Sequence, residues 1–392
     1  MDRTHDPLIP PETSWLTDPQ AQAVCDAITS GGHAIYFVGG CVRNALLGMP
    51  DSDVDMSTDA LPEQVMALAT DAGLKAVPTG IDHGTVTVVS NGVPFEVTTF
   101  RRDVETDGRR AVVAFSKDIA DDARRRDFTM NALYATPQGQ VIDPLGGLPD
   151  LRARRLRFIE EPQARIREDY LRILRFFRFS AYFGDTSDGF DAEALDAIAQ
   201  NIDGLNGLSA ERIGQEMSKL LAASDPAPAL AVMRQVNVLQ AILPGSDDRW
   251  VGPMVHLEGA LGISADWRGR LAALGGQDVA ARFRLSKADA RFLGTLGDVG
   301  FAGPSLGEVS YRHGRDIALQ VLLMRSALAE VMPDTTVLET ISSADAAQFP
   351  VKAADLIPRW EGPALGAKLA ELEQIWIDAD FGMSKEALLA QL

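Results

Sequence analysis

The chain of 392 residues has only two cysteines, Cys25 and Cys41, and neither belongs to a CxxC pair. A cysteine-based structural zinc site is not expected, and a reducing cytoplasm is the expected location. No apolar run approaches the roughly 18 residues that a membrane span needs, so no membrane partner is expected. Residues 1–15 hold prolines and acids but no basic stretch and no apolar stretch, so they do not read as a secretory signal. Repeats of fixed period and low-complexity tracts are also missing. The remaining composition, 46% hydrophobic and 23% charged, is that of a globular protein. At this length two to four domains are expected.

Positive charge is scarce as well: 37 Lys and Arg face 55 Asp and Glu, a net charge of −18. That balance argues against a polyanionic partner until its distribution is considered. Residues 101–126 carry eight basic and six acidic groups, and residues 152–178 carry nine and four. An acidic body with a locally basic groove can bind nucleic acid, with strong salt dependence. The alternative is that these arginines make ordinary surface ion pairs.

What is present begins with a turn. Tyr36-Phe37-Val38-Gly39-Gly40-Cys41-Val42-Arg43-Asn44-Ala45-Leu46-Leu47-Gly48 reads as a strand, a glycine pair and a short helix, followed by Asp53-Val54-Asp55. On a strand over 52–57, Asp53 and Asp55 would face the same way. Two carboxylates beside a glycine turn that can approach phosphates can hold Mg²⁺ against a nucleoside triphosphate. A bare Asp-x-Asp is also common in solvated acidic loops. Glu96, on a strand over 94–100, is a candidate third carboxylate or an ion-pairing strand glutamate. Gly84–Ser90 and Pro94–Phe100 predict a hairpin across Asn91-Gly92. Helices are predicted over 18–30 and 61–72, a strand over 111–115, a helix beginning at 127–134 and a short strand over 141–143.

Two arginine-rich strings follow. Arg124-Arg125-Arg126-Asp127-Phe128-Thr129-Met130-Asn131-Ala132-Leu133 is either a run capped by a helix-starting Asp or a site for phosphates and a ribose hydroxyl. In Glu168-Asp169-Tyr170-Leu171-Arg172-Ile173-Leu174-Arg175-Phe176-Phe177-Arg178-Phe179 the apolar residues surround the helix, which should be largely buried. Arginines on such a helix need a partner or a ligand. Asp169 and Arg172, three apart, could meet on its surface and match the mixed donor and acceptor edge of a base. An internal salt bridge between helices is the alternative. Beyond about residue 150 strand signals nearly vanish, so an α+β head precedes an all-helical remainder.

Taken in order, these motifs resemble the class II tRNA nucleotidyltransferases (CCA-adding enzymes) and their relatives, the bacterial poly(A) polymerases. The resemblance covers about residues 34 to 222. It includes the Gly-Gly-x-Val-Arg turn, Leu-Leu-Gly, Asp53-x-Asp55, the string at 125–132, Asp143-Pro144 through Asp150-Leu151, the Glu-Asp-x-x-Arg-x-x-Arg run, and Glu211-Arg212-Ile213 with Glu216 and Lys219. It implies an α+β nucleotidyltransferase head of the polymerase-β-like type at 34–150 after a lead-in at 1–33. A helical neck at 151–222 and a helical body and tail at 223–392 would follow. It further implies CTP, ATP and a tRNA 3′ end as partners and Mg²⁺ as cofactor. Asp53 and Asp55 would be the metal ligands, and Gly39, Gly40 and Arg43 would lie at the nucleotide phosphates. Arg126 and Asp127 would hold triphosphate and ribose, and Asp169 and Arg172 the base, supported by Arg175 and Arg178. Asn44 stands where the family usually has Asp, which puts a salt bridge in doubt but not the metal site.

Several alternatives share some of these features. A poly(A) polymerase of this group typically carries a basic segment where residues 76–88 show none. Addition of only CC or only A uses the same motifs, with a flexible loop at about 103–110 as the element that could decide. A metal-dependent phosphohydrolase needs a helical His-Asp set, and the only His-Asp here is His5-Asp6. A non-catalytic RNA-binding protein would gain nothing from acids facing phosphates.

Overall fold

A computed structural model of the chain describes residues 8–107, 110–185, 187 and 189–392. His5-Asp6 and part of the 103–110 segment lie outside the described residues. The chain divides into two compact units, residues 1–208 with 236–241 and residues 209–235 with 242–392.

The first unit is built on a seven-stranded sheet. Its strands are β1 (Ile35–Val38), β2 (Asp55–Thr58), β3 (Lys75–Gly80), β4 (Thr85–Ser90), β5 (Val93–Thr99), β8 (Tyr134–Ala135) and β9 (Val141–Ile142), in the order β3-β4-β5-β2-β1-β8-β9. β6 (Arg101–Asp107) and β7 (Arg110–Phe115) form a separate antiparallel ribbon. Within the large sheet only β2 and β5 pair in parallel. The β4–β5 hairpin closes through Asn91 and Gly92 at φ 48° and 86°, the positive values that a tight two-residue turn requires.

Helices cover the sheet. Pro19–Ser30 starts behind Asp18, whose side chain accepts from the Gln20 amide, and buries Ala21, Val24, Cys25 and Ile28 at helical spacing. Pro62–Asp71 packs against it and against β3 and β4. The Pro162–Glu168 and Leu171–Phe183 helices follow. The second of these buries Leu171, Ile173, Leu174, Phe176, Phe177, Phe179 and Phe183, as the apolar pattern around it predicts.

Three local expectations need correction, and one strand is not expected from the sequence at all. The helix expected to begin at 127–134 is a 3-10 turn, Thr129–Asn131, leading into β8. Ala132, Leu133, Tyr134 and Ala135 are all buried, a continuous apolar run that suits a strand covered on both faces. β3 escapes the sequence reading because Pro78 interrupts it. It is an edge strand, where proline is tolerated. The strand expected over 52–57 begins only at Asp55, so Asp53 stands in its lead-in. The segment expected as a loop at 103–110 is largely strand, with Asp103, Glu105, Thr106 and Asp107 paired across the β6–β7 ribbon.

In the second unit the described residues form helices and no named strand. One core gathers Met254, Leu296, Val309, Ala318, Val321 and Leu323, and another Val351, Leu372, Trp376 and Leu388. Arg270, 1% exposed, is paired with Glu258 and donates to the carbonyls of Leu221 and Ala223. No helix among the described residues is long and apolar enough to cross a membrane.

Candidate active site

The site begins where β1 ends. Gly39 adopts φ 75°, a left-handed value that favours glycine, and caps the Gly40–Leu47 helix. A Cβ on Gly39 would come within 3.3 Å of Arg126 Nη1, and one on Gly40 within 2.8 Å of Ser52 Oγ. The glycine pair therefore lets Arg126 and the lead-in of β2 close onto the turn. Asp55 opens β2 opposite Val38 of β1 and in register with Glu96 of β5. Register partners share a face, so the Asp55 and Glu96 carboxylates are neighbours. Asp53, Asp55 and Glu96 are all exposed. Partial burial of its carboxyl raises the pKa of Asp55, and Glu96 and Asp53 raise it further, while Arg126 acts in the opposite sense.

Among the described residues no three His, Cys, Asp or Glu side chains form a group able to hold a metal ion. Glu96 is brought beside Asp55 without closing a three-carboxylate cage. Mg²⁺ is commonly held by one or two carboxylates, with water and substrate phosphate completing the shell. An open pair of aspartates with mutually repelling charge suits that mode.

Arg126 is oriented by residues that the sequence reading did not single out. Its Nη2 donates to Asp122 Oδ2 at 3.1 Å and its Nε to the Tyr134 hydroxyl at 3.2 Å. Tyr134 in turn donates to Asp122 Oδ2 at 2.8 Å, and Arg125 Nε donates to Asp122 Oδ1 at 3.1 Å. Asp122 is fully buried, and burial would raise its pKa; the two guanidiniums and the phenol outweigh that and lower it. The readable signal is its spacing: Asp122, on the short Ile119–Arg124 helix, stands three and four residues before Arg125 and Arg126, which follow the helix end.

Asp127 is buried among protein donors. Its Oδ1 accepts from the Phe128 amide at 2.9 Å and from Asn131 Nδ2 at 3.0 Å. Its Oδ2 accepts from Arg175 Nε at 2.8 Å and from Arg175 Nη2. Burial would raise its pKa; Arg175 and these hydrogen bonds prevail and hold it down at about 2. Asn131 Oδ1 then accepts from Arg43 Nη1 at 2.6 Å. Arg43 is 6% exposed, with Nε and Nη2 on Asn44 Oδ1 at 3.1 and 2.8 Å and its guanidinium 3.7 Å over the Phe183 ring. Burial lowers its pKa to about 10, Asp127 works against that, and Arg178 and Arg175 reinforce it. Arg43 is thus enclosed beneath the turn. Asn44, the departure from the family pattern, supplies it a neutral acceptor and ties its own amide to the Pro50 carbonyl at 2.8 Å.

The expected pairing of Asp169 with Arg172 on one helix surface is not formed, because the helix breaks between them. Asp169 adopts φ −154°, and its Oδ1 accepts from the Leu171 amide at 3.1 Å at the start of the next helix. Arg172 Nη1 instead meets Glu168 Oε2 at 2.5 Å and the Arg165 carbonyl at 2.8 Å. Glu168 also pairs with Arg165, so one carboxylate serves two guanidiniums. Arg175 lies 5.1 Å and Arg178 4.4 Å over the Phe179 ring. The first unit therefore brings together, on separate elements, the glycine turn, the aspartate pair, Arg126, and the Arg172–Arg175–Arg178 helix.

A mixed sheet carrying a glycine turn, a strand-entry aspartate pair and an arginine-rich following helix defines a nucleotidyltransferase-type head. Residues 35–157 match the family model described as "Poly A polymerase head domain", and residues 189–249 the one described as "Probable RNA and SrmB- binding site of polymerase A". The CCA tRNA nucleotidyltransferase 1, mitochondrial, of Danio rerio is 31% identical over 387 residues, 91% of this chain and 86% of that protein. The CCA-adding enzyme of Leuconostoc citreum is 42% identical over 228 residues, 58% of this chain and 55% of that protein. The Bacillus stearothermophilus CCA-adding enzyme, solved in complex with CTP, superposes with a TM-score of 0.68 at 28% identity, covering 93% of this chain and 94% of that one. The chain belongs to the CCA-adding tRNA nucleotidyltransferase family. Several curated relatives are matched over only about half of their length, 55%, 49% and 50%.

Proposed function

We propose that this chain adds CMP and AMP units from CTP and ATP to the 3′ end of tRNA, building CCA without a nucleic-acid template and releasing pyrophosphate. The observation that carries the reading is the acidic edge of Asp53 and Asp55, beside Glu96, facing an Arg126 that is locked onto the Gly39 turn. Relatives named for CCA addition and a neighbour solved with CTP support the choice of substrate. Family membership implies a divalent-metal requirement, and the donor set suits Mg²⁺. When bound, Mg²⁺ would neutralise charge developing on the attacking and leaving oxygens.

The protein's own part is positioning and electrostatics. Asp53 and Asp55 hold two carboxylates at the point where β2 meets the turn. The tRNA 3′-oxygen forms a bond to the α-phosphorus, the bond to the β-phosphate oxygen breaks, and the hydroxyl proton leaves to solvent. Arg126 offers Nη1 at the turn to the triphosphate. Asp127 fixes Arg175 and Asn131, and through Asn131 it fixes Arg43. Asp169 and Arg172 read the base, Arg172 exchanging Glu168 for the base edge, and Arg175 and Arg178 support that helix face. A wrong base leaves buried donors and acceptors unpaired, which is the physical source of selection. The head at 34–150 carries the chemistry and the helices at 151–222 carry base reading. The body and tail at 223–392 would extend the RNA contact. Both cysteines are buried free thiols raised to about 12 and about 11 by burial, which suits a reducing cytoplasm.

The test uses tRNA lacking CCA, ending in C, or ending in CC, with one labelled nucleotide at a time. Incorporation of C, C and then A, each stopping at its place, is expected. Processive addition of A to all three acceptors would replace this reading with a poly(A) polymerase.

A further inference from the structure

Asp122 is 0% exposed, so no nucleotide or RNA can touch it. It lies outside the glycine turn, the aspartate pair and the base-reading helix. A buried carboxylate is retained at a cost unless it is fully paired, and this one is. Its partners come from three elements. Ser57 comes from β2, with Oγ donating at 3.5 Å, Tyr134 comes from β8, and Arg125 and Arg126 follow its own helix. Tyr134 is both donor to Asp122 and acceptor from Arg126 Nε, so carboxylate and phenol grip one edge of the Arg126 guanidinium at two points. The opposite corner, Nη1, is the atom that approaches Gly39. A planar guanidinium held at two atoms has its third direction set. Arg126 is also the cation whose field acts on Asp55.

We propose that Asp122 is a positioning residue for nucleotide binding, which aims Arg126 Nη1 across the Gly39 turn through its two-point grip with Tyr134. The inference rests on the proposed nucleotidyl transfer. Without Asp122 the Arg126 side chain regains rotamer freedom, and the triphosphate must order it on binding. The loss falls on binding rather than on the chemical step.

The experiment measures KM and kcat for CTP and ATP on the full chain with tRNA acceptors, for Asp122→Asn, Arg126→Ala and the double variant. Asp122→Asn should raise KM on the order of tenfold, the effect of losing a charge-assisted contact, with kcat changed less than about threefold. In the Arg126→Ala background Asp122→Asn should add nothing to KM, because the residue acts through Arg126. Additive losses in the double variant, or a fall in kcat at unchanged KM, would overturn the inference and leave Asp122 a structural residue. Tyr134→Phe removes one point of the grip without removing a charge and guards against failure of Asp122→Asn to fold. A smaller KM rise in the same direction is expected, and an unchanged KM overturns the inference. If Asp53→Ala retains full incorporation, the underlying reading of the site has failed. If Asp53→Ala is inactive while the KM values above stay unchanged, only the positioning inference has failed.

Discussion

Replacing Asp127 with Asn tests whether the buried network under the turn is electrostatic. The carboxyl is held from 3.8 down to about 2, which corresponds to about 2 kcal/mol of stability at neutral pH. The amide that replaces it could still accept from the Phe128 amide and Asn131, but its own NH₂ would face the Arg175 donors. The Arg175 side chain is 32% exposed, so water takes up part of the abandoned charge and the loss stays near that figure. Because the folded-state pKa is depressed, this stability is present above the unfolded carboxyl's pKa and is lost as pH falls through about 2. Hydrogen exchange at core amides of the first unit should therefore quicken roughly thirtyfold in Asp127→Asn at pH 7. The gap between the two proteins should narrow as unfolding is measured from pH 5 towards pH 2. Exchange within twofold of the parent at pH 7, or a gap that does not depend on pH, would refute the reasoning.

Other perturbations follow from the same geometry. Gly39→Ala forces a Cβ into a left-handed backbone 3.3 Å from Arg126 Nη1; it should cost about 1–2 kcal/mol in thermal stability and raise KM for both nucleotides. Glu168→Gln releases Arg172 and Arg165 from their shared carboxylate, and should increase incorporation of UMP or GMP relative to CMP and AMP in single-nucleotide assays. In the second unit, Glu258→Gln leaves Arg270 buried without its carboxylate and should cost about 3–5 kcal/mol in denaturant unfolding, whereas Glu258→Asp should cost less.

The parts of the site that were legible in the sequence were those with local spacing. Gly39-Gly40, Asp53-x-Asp55 and Asn91-Gly92 are turn and strand signals, and the structure places a turn, a strand entry and a hairpin there. The burial of Leu171–Phe183 followed from apolar residues on all its sides. Pairings across long sequence separations were not legible. Arg175 with Asp127, and Arg43 with Asn131, join residues 48 and 88 apart, and nothing local announces them. The same holds for the register of Asp55 with Glu96, which only the parallel β2–β5 pair sets. The three-residue spacing of Asp169 and Arg172 implies a contact only on a continuous helix, whereas Glu168 competes for the arginine and the helix breaks at Asp169. The string after Asp127 resembles an N-capped helix start, but tertiary burial makes Tyr134 part of a strand.

The most direct test of the central claim is incorporation of labelled CMP and AMP into tRNA lacking its terminal CCA, by the parent chain and by Asp53→Ala and Asp55→Ala. Ordered addition by the parent is expected in the presence of Mg²⁺. A loss of at least about a thousandfold is expected in either variant, since charge stabilisation of this kind carries several kcal/mol of the barrier. Both side chains are exposed, so circular dichroism and unfolding midpoints should stay unchanged. Incorporation at the parental rate by the double variant would contradict the account.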